Sequence, residues 1–341
     1  MTTRASQLVL GVLLSVLVGV LAGCGGDDSP ESPLPKASAK APEKELVKGT
    51  CWDNDQLPDV LDEDAFDDWV EKYAGGNADL GDSMRDDAAF SKKVDCTEPH
   101  SLELYNVVEL APKLTAQVKE YADLLDHKSA LYRQIEDQVN DRCLAGTPYG
   151  KAQRKAGGLP VQLAPAINVE SGFNDAWDPF PADLWEKGQK KFVCTFEQER
   201  PSTMPFADFT TGNAPVKARV CVNTPRKYVS CSGKHNAEQI AGMTLNTAIE
   251  KGQIDGRKAV RNGTDGKYVA PSDAEYAKLD KVCQTFLTSV SRKKGGVVGK
   301  AYPGSVQQWP TRAGDYVASC FALNDVSDPP PPIKGTVFDK P

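Results

Sequence analysis

Two histidine–glutamate pairs are the residues whose types and spacing come closest to those of a catalytic site. Residues 94–110 read VDCTEPHSLELYNVVEL and residues 229–245 read VSCSGKHNAEQIAGMTL, so both contain V-x-C-[ST]-x-x-H-x-x-E. His100 and Glu103 in the first stretch therefore correspond to His235 and Glu238 in the second. Because histidine titrates near neutral pH and a glutamate can orient it, each pair could act as a general acid–base dyad.

A structural interpretation of the same pairs competes with the chemical one. It predicts that each histidine closes the turn after the cysteine by hydrogen-bonding a backbone carbonyl, with the neighbouring Thr or Ser hydroxyl taking an amide. In an alternating strand, residues three positions apart point to opposite faces, which argues against a dyad. We favour the structural interpretation, because both stretches keep the motif although their other residues differ.

Other reactive arrangements find little support in the sequence. A zinc site lacks ligands, since the chain has only three histidines and its cysteines are better used in disulfides. The run Asp53-Asn54-Asp55 lacks the glycine and glutamate of a calcium-binding loop, so it is interpreted as a solvated acidic face. The chain contains no nucleophile elbow, P-loop or dinucleotide fingerprint. We therefore predict no catalytic residue, no metal and no cofactor.

The repetition extends beyond the histidine motif. Trp185 lies in LWEKGQKKFVCTF and Trp309 in QWPTRAGDYVASCFA, and in both segments a glycine precedes a cysteine by six positions. The tryptophans could form an exposed platform for a glycan or peptide, but repeated tryptophans at matching positions are more often part of a core. Searching for such internal repeats comes first in reading a fold, and this one predicts two copies of one module.

Eight cysteines besides Cys24 occur in the same order in both copies, which restricts their pairing. In an exported chain an even number indicates a disulfide framework. If each copy closes on itself and both agree, three arrangements remain. Cys221 and Cys231 flank a short hairpin around a Thr-Pro turn, which selects among them. The predicted disulfides are Cys221–Cys231, Cys283–Cys320, Cys51–Cys96 and Cys143–Cys194.

The first residues predict export and lipid attachment. Arg4 precedes an apolar run from Leu8 to Ala22, which is short for a transmembrane helix and has the layout of a secretory signal. The run ends in Leu21-Ala22-Gly23-Cys24, the pattern of a bacterial lipobox, so residues 1–23 are predicted to be removed and Cys24 to carry the lipid. An ordinary secreted protein is the alternative. The prediction places the protein at the outer face of the cytoplasmic membrane.

The elements that must position these residues follow from hydrophobic periodicity. Each module is predicted to contain strand, strand, helix and strand, an α+β arrangement in which a small antiparallel sheet packs on a helix. Leu131, Ile135, Val139 and Cys143 recur at helical spacing, as do Leu279, Cys283 and Phe286 after a capping box at Ser272 to Glu275. The predicted boundaries are 24–48 for a disordered tether, 49–200 and 215–326 for the modules, and 327–341 for a Pro-rich tail outside the fold. Further helices are expected around residues 65–73 and 114–125.

Several of these motifs resemble a known family. The lipobox, the opening Gly49-Thr50-Cys51-Trp52 and the V-x-C-x-x-P-H-x-x-E of Val94 to Glu103 are similar to the septum-formation domain of actinobacterial membrane proteins and lipoproteins. The second copy departs from that pattern, with Lys234 where the motif has Pro99. The resemblance implies an extracytoplasmic role in cell division and envelope assembly. It implies no established reaction and no catalytic residues.

The sequence therefore predicts a non-enzymatic interaction module that binds envelope proteins or cell-wall polymer, held to the membrane by its lipid. The net charge of −7 argues against a nucleic-acid partner. One alternative is a cell-wall hydrolase or transferase that uses Glu103 or Glu238. Another is a lipoprotein that binds a small ligand in an apolar pocket between the modules.

Overall fold

The computed structural model describes residues 45–53, 63–76, 90, 92–155, 159–211, 213–223, 227–256, 271–291, 296–302, 316–327 and 329–338. The signal segment, Cys24, Asn54, Asp55 and Trp309 lie outside these ranges.

Antiparallel strands and packed helices form an α+β fold, as predicted. The strands are β1 (Thr50–Asp53), β2 (Lys92–Val94), β3 (His100–Glu109), β4 (Gln162–Pro165), β5 (Phe173–Pro179), β6 (Lys191–Ser202), β7 (Val220–Asn223), β8 (Lys227–Val229), β9 (Lys234–His235), β10 (Ala237–Thr244), β11 (Val298–Tyr302), β12 (Val317–Leu323) and β13 (Ile333–Lys334). The helices are α1 (Glu63–Tyr73), α2 (Pro112–Thr115), α3 (Ala130–Cys143), α4 (Pro148–Lys155), α5 (Ala182–Glu186), α6 (Phe206–Thr211), α7 (Asn246–Glu250) and α8 (Asp273–Val290).

The strand order is the same in the two sheets that carry the repeated motif. One sheet runs β2-β1-β3-β6-β5 and the other β8-β7-β10-β12-β11, so each strand of the first has a counterpart in the second. We call the first set of strands with α3 the first copy, and the second set with α8 the second copy. The hairpin predicted between Cys221 and Cys231 is present as β7 and β8. Each copy nevertheless contains more strands than the sequence predicts, because β2 is very short and β5 and β11 lack a repeated motif.

The pairing register repeats as well. Cys51 lies opposite Glu103 on β3, and Cys221 lies opposite Glu238 on β10. A β-bulge follows at the equivalent point of both strands, between Leu104 and Asn106 in β3 and between Gln239 and Ala241 in β10. Because the extra residue in a bulge reverses the alternation of faces, Leu102 and Val108 lie on opposite faces although an even number of positions separates them. Leu102 packs in one hydrophobic cluster and Val108 in the other.

The eight cysteines of the described residues form four disulfides, paired as predicted: Cys51–Cys96, Cys143–Cys194, Cys221–Cys231 and Cys283–Cys320. Cys51–Cys96 and Cys221–Cys231 each close the first hairpin of their copy. Cys143–Cys194 joins α3 to β6, and Cys283–Cys320 joins α8 to β12. Disulfides of this kind indicate maturation in an oxidising, extracytoplasmic environment. None of the helices within the described residues combines the length and apolar character needed to span a bilayer.

Local signals determine where the two long helices begin. Ser272 Oγ accepts the amide of Glu275 at 3.3 Å and Glu275 accepts the amide of Ser272 at 2.7 Å, which is the predicted capping box of α8. Ser129 Oγ accepts the amide of Tyr132 at 2.9 Å and starts α3. The expected helix over residues 114–125 is replaced by α2 and a 3-10 turn at Tyr121–Leu124. A new helical turn begins there, because the Asp123 carboxylate accepts the backbone amides of residues 119 and 120.

The two copies share a strand pairing and a hydrophobic cluster. Strand β4, which comes from the chain between α4 and β5 of the first copy, pairs with β10 of the second. Tyr149 on α4 packs its ring 4.6 Å from that of Phe286 on α8, and its hydroxyl donates to the carbonyl of Ile240 at 3.5 Å. One hydrophobic cluster contains residues of both copies. The predicted boundary between residues 200 and 215 therefore does not separate two independent cores.

Two predicted boundaries need correction. Leu46 is 5% exposed and packs with Trp52, so the fold begins before the predicted end of the tether at residue 48. The predicted tail outside the fold is wrong for its described residues. Strand β13 pairs with β9, and Ile333 and Val337 are buried. The apolar residues that follow the proline run explain the difference, because the fold buries them.

Candidate functional site

The repeated histidines make the hydrogen bond that the structural interpretation predicts. His100 Nδ1 donates to the carbonyl of Glu98 at 2.9 Å, and His235 Nδ1 donates to the carbonyl of Gly233 at 3.2 Å. In both cases the acceptor lies two residues before the histidine, so the ring closes the turn after the cysteine. The two rings are 1% and 0% exposed, respectively, and therefore cannot meet a substrate.

The second ring nitrogen of each histidine is buried and has no hydrogen-bond partner among the described residues. Since a carbonyl can only accept, the Nδ1 atom of each ring carries a proton. The same arrangement occurs at His100 and His235. A histidine held in this way acts as a structural element of the turn, because general-base catalysis requires contact with the reacting group.

The polar residue before the cysteine stabilises the turn. Asp95 Oδ1 accepts both the amide of Thr97 at 2.9 Å and its hydroxyl at 2.8 Å, and these bonds lower the pKa of Asp95. In the second copy Ser230 Oγ accepts the amide of Ser232 at 3.4 Å. The prediction that the Thr or Ser after the cysteine takes the amide is therefore wrong, because the preceding side chain can reach forward into the turn.

The two repeated glutamates each bind a segment that follows the last strand of their copy. Glu103 Oε2 accepts the amide of Phe206 at 2.6 Å, and Glu238 Oε2 accepts the amide of Val337 at 2.7 Å. Phe206 opens α6 after β6, and Val337 follows β12 and β13 along the chain. We call the segments 203–211 and 329–338 the first and second strap. Each glutamate fastens a strap across its own sheet.

The second glutamate carries more interactions than the first. Glu238 is 0% exposed and also accepts the hydroxyl of Thr336 at 2.6 Å and the guanidinium of Arg219 at 3.3 Å. Arg219 in turn lies 4.8 Å from the ring centre of Phe338. Breaking such a buried ion pair by removing one partner leaves the other charge uncompensated and is strongly destabilising. This arrangement ties the second strap to the sheet.

A cluster with metal-ligand elements does not have the chemistry of a metal site. Within the described residues, the group that could supply three ligands consists of Cys221, Cys231 and Glu238. Both sulfurs belong to one disulfide, and oxidised sulfur does not act as a thiolate ligand. Asp53, whose side chain is 14% exposed, pairs with Lys92 across strands β1 and β2 at 3.0 Å. Asn54 and Asp55 lie outside the described residues, so the predicted acidic face stays a prediction.

Trp185 belongs to the core. It is 6% exposed on α5 and packs edge-on against Tyr121 and Phe192. The alternative of an exposed aromatic platform is therefore wrong for this residue. Its predicted counterpart, Trp309, lies outside the described residues.

A cleft lies where the two copies meet, and neither copy forms it alone. This junction cleft encloses about 560 Å³. One wall comes from the turn at residues 168–173 with Glu199 and Arg200, and the other from Lys217, Arg219 and residues 228–231. Its lining is mostly polar, unlike the apolar pocket that would identify a typical small-molecule site. Sequence reasoning missed it, because its lining comes from four segments, residues 168–173, 199–200, 216–219 and 228–231, that only the tertiary structure brings together.

A second cleft of about 720 Å³ follows the outer side of α8 along β11. Its carboxylate and amide groups are already engaged with the strand. Asp280 accepts the amide of Ala301 and Gln284 accepts the amide of Gly299, both at 2.8 Å. These bonds satisfy outward-facing amides of an edge strand, which would otherwise be free to pair with another chain.

Asp175 is a titratable group that the sequence did not single out. Burial raises its pKa to about 7, and the charge of Glu197 adds to the shift. Its Oδ2 is buried and has no hydrogen-bond partner among the described residues. The available signal was the pattern Phe173-x-Asp175-x-Trp177, which places a carboxylate between two aromatic residues on one face of β5.

Asp175 and Glu103 share a face of the first sheet. Both lie opposite Phe196, on β5 and β3, so they are separated by two strand spacings, roughly 10 Å. Burial raises the pKa of Glu103 as well, although the Phe206 amide and the charge of His100 oppose the shift. Two protonatable carboxyl groups are what a glycoside hydrolase uses. Neither of these two lines either of the two clefts.

The first strap covers this face. Phe206 stacks on Tyr105 with ring centres 3.8 Å apart, and Phe206 and Phe209 both pack on Phe196, at 5.5 and 4.6 Å. A polymer substrate would have to displace the strap to reach Glu103. The geometry therefore fits a packing role for both carboxyl groups better than a catalytic one.

No protein-family model matches the chain, and comparison with curated proteins and with solved structures finds no match either. The resemblance to the septum-formation domain thus stays a prediction from its motifs. What the described residues establish is a disulfide-bonded α+β fold with a repeated strand order, two fastened straps and a polar cleft at the junction of the copies.

Proposed function

We propose that this protein is a non-enzymatic binding protein of the bacterial envelope, held at the outer face of the cytoplasmic membrane by a lipid on Cys24. Its partners are envelope proteins or the cell-wall polymer. A part in septum formation or wall assembly follows from the motif resemblance and belongs to the same proposal.

One observation carries the non-enzymatic part of the proposal. The repeated His and Glu side chains, which are the best catalytic candidates in the sequence, hydrogen-bond backbone groups in both copies. Catalytic side chains that retain their function need access to substrate and a free donor or acceptor. Here the histidines and Glu238 are buried, and Glu103 is engaged by the first strap.

The shared strand β4 supports a role in presenting a fixed surface. Because β4 and Tyr149 tie the copies together, surfaces from both keep a constant relative position. A binding protein gains affinity when its site is already ordered before the partner arrives. Four disulfides add to that order in an oxidising compartment.

Binding to wall and absence of turnover can be measured together. The lipidated full chain is incubated with purified cell wall, and both co-sedimentation of protein and release of soluble wall fragments are followed. Cross-linking in intact cells then identifies envelope proteins that the chain contacts. We expect binding to wall or to an envelope protein, and no fragment release.

Glu103→Gln separates this proposal from the hydrolase alternative. The variant should bind as the wild type does, because the carboxylate only fastens the first strap. Release of wall fragments by the wild type that disappears in Glu103→Gln would establish an enzyme instead. Failure of the chain to bind wall or any envelope protein would remove the binding role itself.

A further inference from the structure

The two copies differ at a position that lies in the junction cleft. Tyr228 on β8 is 77% exposed, more than the other exposed large hydrophobic side chains of the described residues. It lies opposite Val222, whereas the equivalent pair in the first copy joins Lys93 on β2 to Trp52. A lysine is the usual protection of a short edge strand against association with other chains.

The tyrosine belongs to the copy whose first hairpin lines the cleft. In the first copy Lys93 is exposed, and that copy lines the cleft with the turn at residues 168–172 and with residues of β5 and β6, not with its first hairpin. The fold does not need a tyrosine at this register position, since the first copy forms the same hairpin with a lysine. An exposed aromatic face beside a polar cleft is therefore available to a ligand.

The walls of the cleft are held in place before any ligand arrives. The Cys221–Cys231 disulfide closes the hairpin that carries Tyr228. Two hydrogen bonds hold the facing turn against the second copy. The backbone amide of Asn168 donates to the carbonyl of Ala218 at 2.8 Å, and its side-chain Nδ2 donates to the carbonyl of Lys217 at 3.2 Å. Such pre-organisation reduces the entropy that binding would otherwise cost.

The charges of the cleft indicate the class of ligand. Glu170 and Glu199 stand on the first-copy wall with Arg200, and Lys217 stands opposite, its ammonium 5.0 Å from the ring centre of Phe173. An anionic ligand would be repelled by Glu170 and Glu199, and a cationic ligand would be repelled by Lys217. A hydroxyl group both donates and accepts, so a neutral, hydroxyl-rich molecule can use all of these side chains.

We propose that the junction cleft binds a short stretch of neutral oligosaccharide, with one sugar ring lying on Tyr228 and the hydroxyls of its neighbours bonded to Glu199, Arg200 and Lys217. This inference rests on the proposed binding function and names the ligand class. The cavity volume is within the range of about 300–1,000 Å³ common for ligand sites.

The test uses the lipidated full chain in detergent micelles and four probes. Chitotetraose, cellotetraose and mannotetraose represent neutral oligosaccharides, and the zwitterionic peptide Ala-Glu-Ala-Lys-Ala represents a peptide ligand. Dissociation constants are measured by calorimetry for the wild type, Tyr228→Lys and Tyr302→Lys. Tyr302 is the matched control, because it is an exposed edge-strand tyrosine that does not line the junction cleft.

At least one tetrasaccharide should bind the wild type, and Tyr228→Lys should weaken that binding about tenfold or more. Tyr302→Lys should bind as the wild type does. Tyr228→Lys should unfold at the wild-type temperature, since it places the first-copy residue at its own register position. Raising the salt to about 0.5 M should leave the affinity unchanged, because no ion pair with the ligand is involved.

Several results would overturn the assignment. They are binding of the peptide but of no tetrasaccharide, equal loss of affinity in both tyrosine variants, and a strong fall of affinity with salt. If Tyr228→Lys still binds purified cell wall like the wild type while no tetrasaccharide binds, the cleft assignment fails and the binding function stands. If the wild type binds neither wall nor any envelope protein, the broader proposal fails.

Discussion

Replacing Glu238 by alanine should detach the second strap. The side chain is fully buried and accepts three hydrogen bonds, from Arg219, Thr336 and Val337. Its removal leaves the Arg219 guanidinium, itself 6% exposed, without its buried counter-charge. Loss of one partner of a buried ion pair costs about 3–5 kcal/mol. We expect Glu238→Ala to lower the free energy of unfolding by about that amount.

The first copy provides the matched comparison. Glu103 occupies the same register position but is only half-buried, and its fastening bond runs to the amide of Phe206. Among the described residues no arginine forms an ion pair with it. A hydrogen bond to a charged group contributes about 1.5–3 kcal/mol, and partial exposure puts Glu103 at the lower end. Glu103→Ala should therefore cost about 1–2 kcal/mol, clearly less than Glu238→Ala.

Urea unfolding with the disulfides intact measures both variants, and limited proteolysis locates the change. The peptide bonds of residues 329–338 should become sensitive in Glu238→Ala and stay protected in Glu103→Ala. A double variant, Arg219→Leu with Glu238→Leu, should recover part of the stability, because no charge is then left unpaired in the core. Equal costs for the two alanine variants, or an uncleaved second strap in Glu238→Ala, would show that the ion pair does not hold the strap.

Further outcomes follow from single residues. The folded state raises the pKa of Asp175 to about 7, so the free energy of unfolding should fall as pH rises from about 4 to about 7. In urea unfolding, Asp175→Asn should remove this pH dependence and stabilise the protein at pH 8 by up to about 4 kcal/mol. Gly299→Ala should destabilise by about 1–3 kcal/mol, because the added Cβ would lie 2.7 Å from the backbone carbonyl of Cys283, whereas Gly233→Ala, with only a contact at 3.7 Å, should cost less. Opening the Cys143–Cys194 bond, which spans 51 residues, should cost about 4 kcal/mol against about 3 for the 10-residue Cys221–Cys231 bond in the same assay. Cys24→Ser should move the protein from the membrane fraction to the medium on cell fractionation.

For Asp175, the glycine variants and Cys24→Ser, the opposite result would contradict the structural reason for the prediction. A flat stability profile of the wild type between pH 4 and pH 7 would show that Asp175 ionises normally in the folded state. Equal stability of the two glycine variants would show that β11 and α8 are not in close contact at Gly299. Retention of Cys24→Ser in the membrane fraction would mean that another feature holds the protein there.

Motifs and repetition by themselves determined a large part of this fold. The shared order of cysteines was sufficient to select all four disulfides, because equal copies and one tight hairpin leave little choice. The start of α8 and the histidine-closed turns were also predictable. Capping boxes and turns are made by residues two or three positions apart, so the sequence contains both partners of each bond side by side.

Only the tertiary structure decided which segments the repeated glutamates hold. The partners of Glu103 and Glu238 lie 103 and 99 residues further along the chain, and no periodicity links such distances. The same holds for β4, which crosses into the sheet of the second copy, and for the bulge that moves Val108 to the other face. These features arise from packing of whole sheets, where the best burial of apolar surface selects among pairings that local patterns leave equal. The junction cleft is the functional consequence, since it exists only where the two copies meet.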